Sequence, residues 1–155
     1  MKYRKILFVC TGNSCRSPMA EGLLKQMIGE SREDEFNIIS AGIAAAAGIK
    51  ATPKAIEVMK NHNIDISGHR TRKLTNKEIE KADLILVMER SHKDALIRLA
   101  PESASKTFLL GGFGLEAIEP DKNIDIPDPI GMPVEQYEYC FGLIQTSLNE
   151  VIKQL

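Results

Sequence analysis

Cys10 and Arg16 stand six positions apart in a short polar stretch, Cys10-Thr11-Gly12-Asn13-Ser14-Cys15-Arg16, and Ser17-Pro18 follows at once. Their chemistry is that of a nucleophile and an anion clamp. A thiol set among backbone N–H groups, a helix N-terminus and a guanidinium is stabilised as the thiolate, the reactive form of cysteine. The same cradle suits a tetrahedral dianion such as phosphate. A Cys-x5-Arg pattern alone says little, because a cysteine at a strand end is commonly a small buried hydrophobe. Its context gives it weight.

That context is strand, loop, helix. Ile6-Leu7-Phe8-Val9 is a β-branched and aromatic run that reads as a strand, and Met19, Leu23, Leu24, Met27 and Ile28 recur at helical spacing after the loop. Pro18 suits a first helical turn and Ser17 reads as the N-cap. The helix then directs its free N–H groups back at the loop, where Gly12 and Asn13 supply unusual backbone angles.

Further along, Gly29 with the charged Glu30 to Glu35 stretch ends this helix, and Phe36 to Ser40 reads as a second strand. The four alanines Ala44 to Ala47, flanked by Gly42 and Gly48, read as a loop. Thr52-Pro53 opens a helix, Ile64 to Leu74 is irregular, and Thr75 or Asn76 caps a short helix through Lys81. Ala82 to Met88 is a continuous apolar strand of the kind buried on both faces. A helix from Ser91 toward Leu99, a strand Thr107 to Leu110, a long Gly/Pro-rich loop from Gly111 to Pro133 and a closing helix Val134 to Leu155 complete the chain. Strands alternating with helices predict an α/β fold, a single-domain three-layer arrangement with four parallel strands and helices on both faces. Ligands in such sheets bind outside the carboxyl ends of the strands, which is where Cys10 falls.

Composition bounds the rest. With 155 residues, enough to bury about 70% of the unfolded chain's surface, the chain reads as one domain. A net charge of -1 gives no reason to expect nucleic acid or an anionic membrane as partner. No run is long and apolar enough for a signal peptide or a membrane span, so a cytoplasmic location is expected. There Cys10, Cys15 and Cys140 are thiols by default, and no Cys/His spacing suits zinc. His62 and His92 read as surface residues, as do Asp121 and Asp125.

At Cys10 to Pro18 the chain resembles the low-molecular-weight protein tyrosine phosphatases, and the resemblance runs over nearly its whole length. Bacterial protein arginine phosphatases share the loop closely. The thioredoxin-coupled arsenate reductases carry an almost identical one, with Gln where this chain has Pro18. The resemblance implies strand order 2-1-3-4 and a monomer or weak dimer acting on phosphorylated protein or peptide, with neither metal nor organic cofactor. It implies Cys10 as nucleophile, Arg16 as clamp, and Thr11, Gly12, Asn13, Ser14 and Cys15 as the rest of the phosphate loop. Asp128, in Asp128-Pro129, matches the family's general acid, and the length of its loop supports a functional role. Ser17 would stabilise the departing thiolate, with Asn13, His69 and Ser40 in support. A reversible Cys10–Cys15 disulfide is also implied.

Substrate preference divides these relatives. Tyrosine phosphatases of the family commonly carry a bulky aliphatic residue at the position of Ser14 and aromatics after the Asp-Pro pair, where this chain has Ile130. The arginine phosphatases have a small hydroxyl residue at the Ser14 position, yet often an aromatic after Asp-Pro and another in the loop held here by Ala44 to Ala47. Phosphotyrosine hydrolysis is the expectation, with phosphoarginine as alternative. Arsenate reduction is a second alternative. Its relay needs two cysteines after the third strand, where this chain has Val87, Met88 and Glu89. The reductases also hold a potassium ion at positions matching Asn13, Ser40, Glu21 and Asp65.

Overall fold

A computed structural model describes residues 2–113 and 124–155. Four strands, β1 (Lys5–Cys10), β2 (Asn37–Gly42), β3 (Leu84–Val87) and β4 (Thr107–Leu109), form one parallel sheet in the order β2-β1-β3-β4. This is the expected order. β1 lies between β2 and β3, with Cys10 paired to Gly42 and Val9 to Val87. Each β3 residue is buried, as its unbroken apolar run requires of a strand covered on both faces.

Among the described residues, five α-helices cover the sheet: α1 (Arg16–Ile28), α2 (Pro53–Asn61), α3 (Asn76–Lys81), α4 (Arg90–Leu99) and α5 (Val134–Ile152). The period of two along β1 divides the core. Ile6, Phe8 and Cys10 pack with α1, α2 and α5, whereas Leu7 and Val9 pack with α3 and α4. On α5 the buried residues Tyr137, Phe141, Ile144, Leu148 and Val151 recur at three- and four-residue steps and form one apolar stripe. Each such side chain contributes about 1.5–3 kcal/mol when fully buried.

Several boundaries differ from the sequence expectation. The charged stretch Glu30–Glu35 is a 3₁₀ helix, β2 begins one residue later and runs two residues further, and a 3₁₀ turn at Leu110–Gly112 replaces the end of the fourth strand. The Ala44 to Ala47 segment is a loop, fixed because Ile43 and Ala44 donate to the carbonyls of Cys10 and Thr11. Thr75 caps α3 by accepting the Glu78 N–H. Of the long Gly111 to Pro133 loop, residues 114–123, Asp121 among them, lie outside the described residues. Among the described residues no helix is long and apolar enough to cross a membrane.

Candidate active site

The loop from Cys10 to Arg16 leaves the carboxyl end of β1 and enters α1. Asn13 makes its sharpest bend, with φ at 56°, in the left-handed region where asparagine is favoured after glycine. Gly12, also expected to bend backward, has no positive φ; the single kink at Asn13 suffices. The bend is fixed on every side. The Asn13 amide donates to Ser17 Oγ at 2.8 Å and to Ser40 Oγ at 2.9 Å, and its Oδ1 accepts the Arg72 N–H at 3.1 Å. His69 Nε2 donates to the Asn13 carbonyl at 2.8 Å. Asn13, Ser17 and Ser40 are buried, so these pairings satisfy groups that would otherwise be costly to desolvate. Gly42 is needed beside them: a Cβ there would lie 2.6 Å from the Thr11 carbonyl oxygen and 2.9 Å from the Asn13 nitrogen.

Ser17 departs from its expected N-cap role. α1 begins at Arg16 with Cys15 as N-cap, and the Ser17 hydroxyl faces the nucleophile loop instead. Ser17 Oγ lies 2.9 Å from Cys10 Sγ. Since Oγ accepts from Asn13, its one proton is available to the sulfur. The Asn13 N–H also donates to Cys10 Sγ at 3.2 Å. Two hydrogen-bond donors thus converge on one buried sulfur.

Arg16 is 2% exposed and ties three elements together. Its Nη1 donates to Glu89 at the start of α4 and, at 2.7 Å, to the Ile126 carbonyl. Its Nη2 lies 3.7 Å from Asp128 Oδ2. Asp128 is thus brought to the guanidinium, half-exposed, with Oδ1 accepting the Ile130 N–H. Burial works against the Glu89 charge, but the hydrogen bond and charge of Arg16 outweigh it and hold that carboxyl below its usual range.

The other expected residues divide in two. Thr11 Oγ1 meets His92, and Ser14 is half-buried with its carbonyl accepting the Thr52 N–H. Cys15 is a free thiol whose Sγ turns to Thr52 Oγ1 at 3.3 Å and to the Tyr137 hydroxyl at 3.8 Å. Asp125 is exposed but not merely solvated, since it accepts the Arg90 N–H at 2.8 Å where α4 begins. Glu21 pairs with Lys25 and Asp65 accepts the Ser67 N–H. Among the described residues no three His, Cys, Asp or Glu side chains group as a metal site.

His92 corrects the sequence reading. It is 4% exposed, with Nδ1 accepting the Glu89 N–H and Nε2 at 2.8 Å from Thr11 Oγ1. Burial, then the nearby Arg16, lowers its pKa against the opposing pull of Glu89, Asp125 and Asp128. Sequence reasoning also passed over Glu89 as a partner of Arg16. The signal was there: Glu89 is the first charged residue beyond β3, at the same sheet end as Cys10.

A family model described as low molecular weight phosphotyrosine protein phosphatase matches residues 5–155. The low molecular weight protein-tyrosine-phosphatase Etp of Escherichia coli K12 is 36% identical over 155 residues, covering 100% of this chain and 97% of that protein. A protein-arginine-phosphatase from Geobacillus stearothermophilus is 38% identical over 159 residues, covering 100% and 97%. The crystal structure of the tyrosine phosphatase Wzb from Escherichia coli K30 in complex with sulphate superposes with a TM-score of 0.85 at 34% identity, covering 98% of each chain.

Proposed function

The chain belongs to the low molecular weight phosphotyrosine protein phosphatases, and on that premise we propose that it hydrolyses phosphotyrosine in proteins through a phosphocysteine on Cys10. The observation that carries this reading is the sulfur of Cys10 facing two donors, Asn13 N–H and Ser17 Oγ, in a loop closed by buried Arg16.

The chemistry follows in two displacements. The Cys10 thiolate attacks phosphorus, the P–O bond to the tyrosine oxygen breaks, and the Asp128 carboxylic acid gives that oxygen its proton. Arg16 holds the equatorial oxygens through the guanidinium edge left by Nη1, while loop N–H groups take the remaining charge. Water then attacks phosphorus, passing a proton to the Asp128 carboxylate. The P–S bond breaks, inorganic phosphate leaves, and Ser17 donates to the returning thiolate. No step draws on a metal or cofactor.

A second reading, phosphoarginine hydrolysis, is supported by the Ser14 hydroxyl and by the similarity to the Geobacillus enzyme. The tyrosine reading is favoured by Ile130, two residues after the acid, whose 58% exposed side chain offers an apolar surface to an aromatic ring. Arsenate reduction has less support, since β3 ends in Val87 and continues into Met88 and Glu89 with no cysteine, and the Cys140 thiol is hydrogen-bonded to the acid loop.

Side-by-side turnover of a phosphotyrosine peptide and a phosphoarginine protein tests this, with arsenate plus thioredoxin as a third arm. Preference for phosphotyrosine, abolished in Cys10→Ser while phosphate binding persists, is the expected result. Preference for phosphoarginine or thioredoxin-dependent arsenate turnover would replace the substrate, and an active Cys10→Ser protein would remove the mechanism.

A further inference from the structure

The first turn of α4 presses a buried histidine against the nucleophile loop. His92 Nδ1 lies 3.1 Å from the Glu89 backbone nitrogen, and its Nε2 lies 2.8 Å from Thr11 Oγ1, 81 residues away in sequence. An amide N–H can only donate, so Nδ1 carries no proton. The proton of the neutral ring is therefore on Nε2, which donates to Thr11. Thr11 Oγ1, accepting that bond, keeps its own hydroxyl proton for another acceptor.

The carboxylate three residues before His92 completes a ring of contacts. Glu89 accepts from Arg16, so one turn of α4 grips Thr11 at the beginning of the loop and Arg16 at its end. A histidine serving only as a helix cap would need the Glu89 N–H and nothing more. Its second bond reaches a different element.

We propose that His92 is a positioning residue: as the neutral Nε2–H tautomer it ties Thr11 to the Glu89–Arg16 pair and so holds both ends of the phosphate loop at a fixed separation. The charged groups facing the ring are Arg16 from α1, Glu89 from its own turn, and Asp125 and Asp128 from the acid loop. Protonation of Nδ1 would turn an N–H against the Glu89 N–H and release that turn. The consequence for catalysis rests on the phosphatase reading, but the brace itself is a matter of tautomer and geometry.

The test uses Cys10→Ser protein, in which phosphate binding is read without turnover. Long-range ¹H–¹⁵N spectra are expected to show His92 protonated at Nε2, with that signal displaced by Thr11→Val. Adding His92→Ala is expected to weaken inorganic phosphate binding about tenfold, the scale of one lost hydrogen bond. In a Thr11→Val background the same substitution should cost nothing further. An Nδ1–H tautomer would overturn the proposal. So would an unchanged phosphate Kd accompanied by a lowered Tm, or an equal loss whether or not Thr11 is present. Failure of the Cys10→Ser parent to bind phosphate would refute the phosphatase reading; the tautomer and its response to Thr11→Val then decide the brace alone.

Discussion

The Cys140 thiol, on α5, donates to the carbonyl oxygen of Pro127 at 3.1 Å, one residue before Asp128. The same loop is tied to the sheet by the Ile126 N–H, which donates to the Met88 carbonyl, and to α1 by Arg16 on the Ile126 carbonyl. Cys140 is therefore a further anchor for the segment that carries the proposed general acid. Cys140→Ala should lower stability by about 1–3 kcal/mol, through the lost contact and an unsatisfied carbonyl. It should also lower kcat several-fold on phenyl phosphate, whose leaving group needs a proton. An activated ester such as p-nitrophenyl phosphate should respond much less. Equal losses on both esters would mean that the anchor does not act through Asp128.

The same thiol gives an alkaline signature. Burial pushes the Cys140 thiol up to about 11 from an ordinary value of 9.0. Between those values the unfolded chain has released the proton and the folded chain keeps it, so the folded state binds more protons and stability falls as pH rises. Denaturant midpoints measured from pH 8 to 11 should decline more steeply in the native protein than in Cys140→Ser. Parallel curves would show that this thiol is not the titrating group.

Glu89 gives the opposite sign on the acid side. Its carboxyl is held below its ordinary value of 4.5, so its contribution is complete above that value and is lost as pH falls through the lower folded value. Glu89→Gln removes the charge beside buried Arg16 and should cost about 1–3 kcal/mol at pH 7, the scale of a hydrogen bond to a charged group. Urea titrations of the two proteins should converge as pH drops from 5 toward 3. A constant gap across that range would refute the pairing as the source of the difference.

Local patterns carried much of this architecture, while side-chain partners across long distances did not show in them. The β1 strand, the helix start at Thr52-Pro53, a cap at Thr75 or Asn76 and the all-buried β3 each express rules acting within a few residues, so they are readable from local pattern; the structure chooses Thr75 as the cap. Ser17 looked like an N-cap for the same local reason. Its hydroxyl is instead claimed by Cys10 and Asn13, a tertiary preference that overrides the helix-end rule. His92 was misread because a histidine in the polar first turn of a helix resembles a surface residue until Thr11, distant in sequence, is brought against it. Strand order also depends on tertiary packing; it was expected through resemblance to a family and not through periodicity.

Gly42 offers a test of how tightly the loop is seated. It ends β2 opposite Cys10, and its missing side chain is what allows Thr11 and Asn13 to approach. A methyl group at that position would meet the Thr11 carbonyl oxygen at 2.6 Å, the Ala45 Cβ at 2.8 Å and the Asn13 nitrogen at 2.9 Å, and two of these atoms belong to backbone that cannot rotate away. Gly42→Ala must therefore displace the loop, at a cost typical of overpacking, about 1–3 kcal/mol. Because Asn13 N–H and Ser17 Oγ are aligned on Cys10 through the same bend, the displacement should cut kcat/KM at least tenfold on any phosphate ester, activated or not. Ala45→Gly, which removes only the Ala45 Cβ, should restore little of that loss. Full recovery in the double variant would show that the Ala45 contact, rather than the seating of the loop, sets the requirement for glycine.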